Sequence, residues 1–432
     1  MTLQLQPVKG TRDFYPDEMR LRSWLFQIWR ETARSFGFEE YDACVLEHEE
    51  LYVRKAGDEI TEQLYTFEDK SGRRLALRPE MTPSLARLIL QRKNALTFPL
   101  KWFSIPQCFR YERMTRGRKR EHFQWNMDVV GQPDLAAEVE VLSALIMSFK
   151  KMGLGERQVR LHLNDRRLVG AVLDHLGVAE ERHLPVMVVM DKRDKITREA
   201  LTAMLAEEGL TPDQVGQLEA FLTMKTLEEI ERALGPHPSV ASLKRLLELL
   251  GQVGLGGFAL FDITVVRGLS YYTGTVFEWR DAGASLRAIC GGGRYDSLLS
   301  SYGGEPVPAI GFGFGDVVIL ELLADLNLLP KLTQDMDFAV IPFSEAEVPQ
   351  ALALSQRLRE AGFRCDADYS LKKLKRALQR ADEVGARKAV LLMPDELKQG
   401  LVVLRDMAKR EETRVPLADL VAHARAALGR ET

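Results

Sequence analysis

The densest run of reactive side chains lies between Phe109 and Gly131, FRYERMTRGRKREHFQWNMDVVG, which reads as two strands joined by a basic loop. Strand side chains alternate between faces, so Arg110 and Glu112 fall on one face and Phe109 and Tyr111 on the other. In the second strand Gln124, Asn126 and Asp128 oppose Phe123, Trp125, Met127 and Val129. One face of the hairpin is therefore packable, while the other offers a row of charges and amides. Such a row is often no more than solvated surface. Here, however, Arg113, Arg116, Arg118, Lys119 and Arg120 crowd the loop, and guanidinium forks suit a polyphosphate or a nucleic-acid backbone.

Two further stretches could hold a ligand. Arg267-Gly268-Leu269-Ser270-Tyr271-Tyr272-Thr273-Gly274 follows a strand and is succeeded by Gly291-Gly292-Gly293-Arg294-Tyr295-Asp296. Adjacent tyrosines supply stacking surface and hydroxyls, and the glycines allow close approach of backbone to ligand, although an aromatic turn buried in a core would look the same. In Ala309-Ile310-Gly311-Phe312-Gly313-Phe314-Gly315, alternation puts Ala and three Gly on one face and Ile, Phe and Phe on the other. A strand with a bare face serves either tight helix packing or a flat ring laid on it. The spacing is not GxGxxG and no GxxxxGK[ST] occurs, so dinucleotide-fold and P-loop readings fail.

These residues must be positioned by a chain of 432 residues, about three ordinary domains in length. Leu21, Trp24, Leu25, Ile28, Trp29, Ala33 and Phe36 predict an amphipathic helix that stops at Gly37. Strand-like segments follow at Tyr41 to Leu46, Gln63 to Glu68, Arg74 to Leu77, Leu100 to Arg113 and His122 to Gly131, the pattern of an antiparallel sheet flanked by helices. From about 165 to 251 helices dominate, as in an inserted subdomain, with one strand-like segment at Pro185 to Met190. Strands resume at Phe258 to Val266 and Gly274 to Arg280. The expected class is α+β: a catalytic domain over 1–325, a linker over 326–334 carrying Pro330, and a separate α/β domain over 335–432. In that last domain a strand at Phe338 to Ile341, a helix at Val348 to Ala361, a strand at Arg364 to Ala367 and a helix at Leu371 to Val384 precede strands at Lys388 to Met393 and Val402 to Asp406.

Cys44, Cys108, Cys290 and Cys365 share no short spacing and no HxxxH occurs, so neither a disulfide framework nor a structural metal is expected. A net charge of −3 means that any nucleic-acid partner must meet local basic patches. No apolar stretch has the length of a membrane span, and Met1 to Pro7 lacks the pattern of a secretory signal; a cytoplasmic protein without a membrane partner is expected.

The order of Lys9-Gly10-Thr11-Arg12-Asp13-Phe14, Leu77-Arg78-Pro79-Glu80-Met81-Thr82, the hairpin, RGLSYYTG, GGGRYD and the glycine strand resembles the histidyl-tRNA synthetases, which are of the class II synthetase fold. RGLSYYTG is the most specific element. The carboxy-terminal domain resembles their anticodon-binding domain through Ser370-Leu371-Lys372-Lys373 and Asp395-Glu396-Leu397. The resemblance implies activation of L-histidine by ATP, with magnesium accompanying the nucleotide, transfer to the 3′ end of a histidine tRNA, and a homodimer. It places Arg110 at the α-phosphate, Glu112 at the adenine amino group, Arg118 near the terminal phosphate, and His122, Gly311 and Gly313 at ATP. Glu80, Thr82, Gln124, Asp128, Tyr271 and Tyr272 surround histidine in the same comparison. Arg267 stabilises charge at the α-phosphate, so Arg110 and Arg267 are the implied catalytic residues.

Three positions depart from the family pattern: Cys44 replaces a proline in the first motif, Val318 an arginine after the glycine strand, and His122 an aromatic ring on adenine. Val318 is the feature in favour of a rival, a non-catalytic synthetase-like regulatory subunit of histidine biosynthesis. Retention of RGLSYYTG and of the carboxy-terminal domain speaks against it. A synthetase for threonine or proline is a second rival, disfavoured because the tyrosine pair and Asp128 suit an imidazole.

Overall fold

Leu25, Phe26, Ile28, Trp29 and Ala33 line the buried side of the first helix, Pro16–Ser35, and Gly37 follows with φ +75°, a conformation only glycine adopts without strain. The computed structural model describes residues 3–53, 61–193, 196–267, 271–283 and 286–428. It contains two units: Met1–Asp13 with Arg22–Leu329, and Phe14–Leu21 with Pro330–Thr432.

In the first unit the described strands are β1 (Glu39–Glu40), β2 (Leu46–His48), β3 (Tyr65–Glu68), β4 (Arg74–Leu77), β5 (Leu100–Ser104), β6 (Gln107–Phe109), β7 (Glu121–Val130), β8 (Val159–Asp165), β9 (Ala259–Phe261), β10 (Thr275–Asp281), β11 (Cys290–Arg294) and β12 (Ala309–Gly315). The large sheet runs β1-β5-β7-β12-β11-β10-β8-β9 with β6 added to β7, and β2-β4-β3 form a small sheet. Among the described strands of this unit, only β1 with β5 and β8 with β9 pair in parallel.

The two faces of the large sheet differ because of their side chains. Trp125, Phe312, Phe314, Phe277 and Trp279 are buried on one face. Trp29 of the first helix stacks 5.9 Å from Trp125, and Phe149 of the helix Ala136–Lys151 lies 5.2 Å from Phe314 and 4.8 Å from Trp279. Each buried aromatic removes about 150–250 Å² from water, several kcal/mol in all, so a one-residue register slip is strongly disfavoured. The opposite face receives Gln124, Asn126 and Asp128, registered against Gly315, Gly313 and Gly311.

Several local expectations are corrected. The β6–β7 hairpin closes at Phe109–Glu121 rather than extending to Arg113, because the amide of Tyr111 bonds to the carbonyl of Gln63 and that of Arg120 to Gly10. Strand pairing flanks Tyr41 to Leu46 rather than spanning it, and β9 ends at Phe261, after which Asp262 caps a turn through Thr264. Pro185 to Met190 is the end of a helix, Glu180–Met190. Val186, Met187, Val189 and Met190 are buried there in one apolar cluster with the other helices between β8 and β9 and with Phe261, Ile263 and Val266, so burial and not strand pairing stabilises the segment.

In the second unit β13 (Phe338–Pro342), β14 (Cys365–Ala367), β15 (Lys388–Leu392), β16 (Leu401–Asp406) and β17 (Glu412–Pro416) form a sheet in the order β14-β13-β15-β16-β17, parallel through its first three strands and antiparallel beyond. Its basic helix begins at Leu374, not Leu371, since Leu371 holds φ +50° and interrupts helical geometry. Lys372 and Lys373 therefore precede the helix, and Arg380 within it pairs with Asp366 at 3.2 Å.

Candidate active site

Four glycines form the floor of the site, each in a position where a side chain would displace a functional group. A Cβ on Gly293 would approach the Tyr272 ring to 2.9 Å, and one on Gly291 the Arg267 guanidinium to 2.9 Å. On Gly311 it would meet the Asp128 carboxylate and, at 2.7 Å, the Tyr295 hydroxyl; on Gly313 it would meet the Gln124 amide. The bare face thus carries the site residues themselves, laid flat on the sheet.

At one end two buried carboxylates are each held by a tyrosine. Tyr271 donates its hydroxyl to Glu80 at 3.2 Å, and Tyr295 donates to Asp128. The Tyr271 and Tyr295 rings meet edge-on at 5.9 Å, joining the two pairs. Burial raises both carboxyls, Asp128 to about 7; Arg110 partly offsets the effect at Glu80 and the Tyr295 hydrogen bond at Asp128. Thr82 is buried at the start of the helix Thr82–Arg92, two residues beyond Glu80. Asn126, buried between Gln124 and Asp128 in sequence, has an Oδ1 without a hydrogen-bond partner among the described residues.

At the other end are arginines. Arg267, at φ +57°, bonds to Glu278 Oε1 at 2.6 Å, and Arg280 reaches the same carboxylate at 2.9 Å. Burial opposes the Glu278 charge, but Arg267 and Arg280 hold its pKa below the ordinary value. Arg110 Nε donates to the Pro79 carbonyl at 2.8 Å, and Arg118 pairs with Glu112 at 3.0 Å. The basic loop is only partly a ligand surface: Arg116 binds Glu321 at 3.2 Å and Asp325, on the helix Asp316–Asp325, and Arg120 lies over the Tyr111 ring at 3.8 Å. His122 lies 3.4 Å from Gln124, and burial followed by the Arg110 charge pushes its pKa down to about 3, so the ring is neutral.

The expected residues thus fall into two adjoining groups, Glu80, Thr82, Asp128, Tyr271 and Tyr272 on one side and Arg110, Glu112, Arg118 and Arg267 on the other, which meet where Arg110 lies close to Glu80 and Arg267 to Tyr272. Gln124, His122 and Gly313 adjoin one another, whereas Gly311 belongs with Asp128. Gly268, Leu269 and Ser270 of the tyrosine motif lie outside the described residues. Sequence reasoning reaches Tyr295 only as part of the GGGRYD stretch and misses Glu278. Glu278 carries the same signal as the hairpin, alternating with Phe277 and Trp279 along β10; the pairing of Tyr295 with Asp128 carries none, since the two are 167 residues apart.

An antiparallel sheet with a glycine floor, flanked by a carboxylate–tyrosine end and an arginine end, is the catalytic fold of a class II aminoacyl-tRNA synthetase. The family model for histidyl-tRNA synthetase matches residues 10–315, and that for an anticodon-binding domain matches residues 337–426. The chain belongs to the histidyl-tRNA synthetase family, whose members are aminoacyl-tRNA ligases. It is 45% identical over 419 residues to the chloroplastic/mitochondrial histidine–tRNA ligase of Arabidopsis thaliana, covering 97% of this chain and 86% of that one. With the histidine–tRNA ligase of Opitutus terrae it shares 41% over 97% and 98% of the two chains. The histidyl-tRNA synthetase structure from Nostoc sp. PCC 7120 superposes with TM-score 0.81 at 24% identity, over 99% of this chain and 100% of that one, a likeness of fold.

Proposed function

We propose that the chain activates L-histidine with ATP and transfers it to the 3′ end of histidine tRNA. The observation that carries this reading is the pair of tyrosine-held carboxylates beside the arginine cluster on one glycine floor. In the first step a histidine carboxylate oxygen attacks the α-phosphorus, the bond to the bridging oxygen breaks, and pyrophosphate leaves. Glu80 and Asp128 meet the cationic ammonium and the imidazole; Thr82, Gln124, Tyr271 and Tyr272 complete that end. Arg110 and Arg267 neutralise charge that grows on the α-phosphate, so positioning and electrostatics supply most of the rate. Glu112, Arg118, His122, Gly311 and Gly313 border the nucleotide. In the second step a terminal ribose hydroxyl of the tRNA attacks the activated carbonyl, and AMP leaves.

Magnesium enters this reading as a counter-ion carried by the nucleotide phosphates, and no step is assigned to it. Four free cysteines suit a reducing compartment such as the cytoplasm, and among the described residues no helix is long and apolar enough to cross a membrane. The homodimer is supported by Val45 and Leu46, which remain exposed beside Cys44 in the first-motif segment. The regulatory reading is not favoured, because the arginine end and the anticodon-binding match are both retained.

The test is histidine-dependent ATP–pyrophosphate exchange followed by charging of histidine tRNA. Exchange with histidine alone among the amino acids is expected; no exchange, with no ATP binding by calorimetry, would overturn the reading.

A further inference from the structure

The arginine end holds a fourth guanidinium that the preceding assignments leave unused. Arg287 stands just before β11. A Cβ placed on Gly117, in the tip of the basic loop, would lie 3.4 Å from Arg287 Cδ and 3.2 Å from Val318 Cγ2, so the two side chains flank the same backbone point. Arg287 is solvent-accessible yet crowded by protein. That crowding and the charge of Arg118, followed by those of Arg110 and Arg267, lower its pKa to about 10 against the pull of Glu112.

The charges around it do not balance. Arg267 has Glu278 and Arg118 has Glu112, but among the described residues Arg287 has neither an ion pair nor a hydrogen bond to any carboxylate. An unpaired guanidinium amid three others is unfavourable unless an anion joins them. The hydrophobic Val318 cannot supply a cation there. The loop tip is moreover fixed: Gly117 N–H donates to Glu321 at 3.0 Å while Arg116 binds Glu321 and Asp325, so the surface beside Arg287 is held by structural contacts that use neither Arg287 nor Arg118.

We propose that Arg287 binds the β- and γ-phosphates of the nucleotide, providing from the segment just before β11 the cation that Val318 does not. Arg267 and Arg110 then remain for the α-phosphate, and Arg287 with Arg118 forms a separate grip on the pyrophosphate end. This inference rests on the ATP-dependent reading above.

Kinetics of exchange with the full-length chain test it. Arg287→Ala is expected to raise the half-saturating concentrations of ATP and of pyrophosphate by about ten- to a hundredfold, the usual effect of losing one charge-assisted contact. AMP lacks the two terminal phosphates, so its inhibition constant should stay within about twofold, as should calorimetric histidine affinity. Unchanged ATP and pyrophosphate constants in an active enzyme would overturn the assignment. So would an equal loss of AMP affinity, or a fall in Tm with weakened histidine binding, either of which would give Arg287 a different or purely structural role. Absence of exchange in the unsubstituted chain is a distinct result, which would overturn the ATP-dependent reading itself.

Discussion

The Tyr295 hydroxyl donates to Asp128 directly above Gly311, which places the carboxylate on the sheet floor between β7 and β12. Asp128 is only 3% exposed, and removing its donor leaves a buried acceptor unsatisfied. Tyr295→Phe is therefore expected to cost about 1–3 kcal/mol, expressed as weaker histidine binding by calorimetry. Unaltered affinity would mean that Asp128 does not face the substrate.

The same carboxyl sets a pH dependence. Its pKa in the folded chain, about 7, lies above the ordinary aspartate value, so between the two the folded chain keeps a proton that the unfolded chain has released. This contribution is complete below the ordinary value and declines as pH rises toward 7. Asp128→Asn lacks that slope. Thermal unfolding from about pH 4 to pH 8 should show the wild-type Tm falling relative to the variant across that window; parallel curves would contradict the burial argument.

Neighbouring glycines should respond differently to the same substitution. In Gly311→Ala the new Cβ meets the Met127 carbonyl at 2.8 Å as well as Asp128 and Tyr295, and backbone cannot yield cheaply. A loss of about 1–3 kcal/mol in stability and of histidine binding is expected. In Gly313→Ala it meets chiefly the end of the flexible Gln124 side chain, so Tm should hold while exchange kinetics change. Differential scanning calorimetry and exchange assays separate the two outcomes.

Arg267 adopts a left-handed backbone and lies over Gly291, bound to Glu278. Its charge is needed chiefly as the α-phosphate becomes more negative. Arg267→Ala should lower kcat for adenylate formation by about two to three orders of magnitude with little change in histidine affinity. Exchange surviving within a few-fold would refute the role.

In the second unit Lys372 and Lys373 are exposed, whereas Arg380 is engaged with Asp366. Replacing both lysines by Ala should raise the KM for tRNA and reduce the log–log salt slope of tRNA binding by about one to two, with exchange unaffected. An unchanged salt slope would make them an ordinary solvated surface.

Local periodicity was enough to read the sheet faces. Gln124, Asn126 and Asp128 alternate with Trp125, Met127 and Val129, and the glycines of β12 alternate with Phe312 and Phe314, because side chains along a strand alternate whatever the strand pairs with. The order of motifs likewise placed the chain in its family. Tertiary structure alone decided which charges are available: Arg116 is bound by Asp325, 209 residues away, while Arg287 is left beside Val318 with no carboxylate ion pair among the described residues. It also made Pro185 to Met190 helical by surrounding an apolar run with helices. Face alternation follows from backbone geometry between neighbouring residues, whereas ion pairing and the choice between apolar helix and apolar strand depend on groups that sequence distance separates and folding brings together.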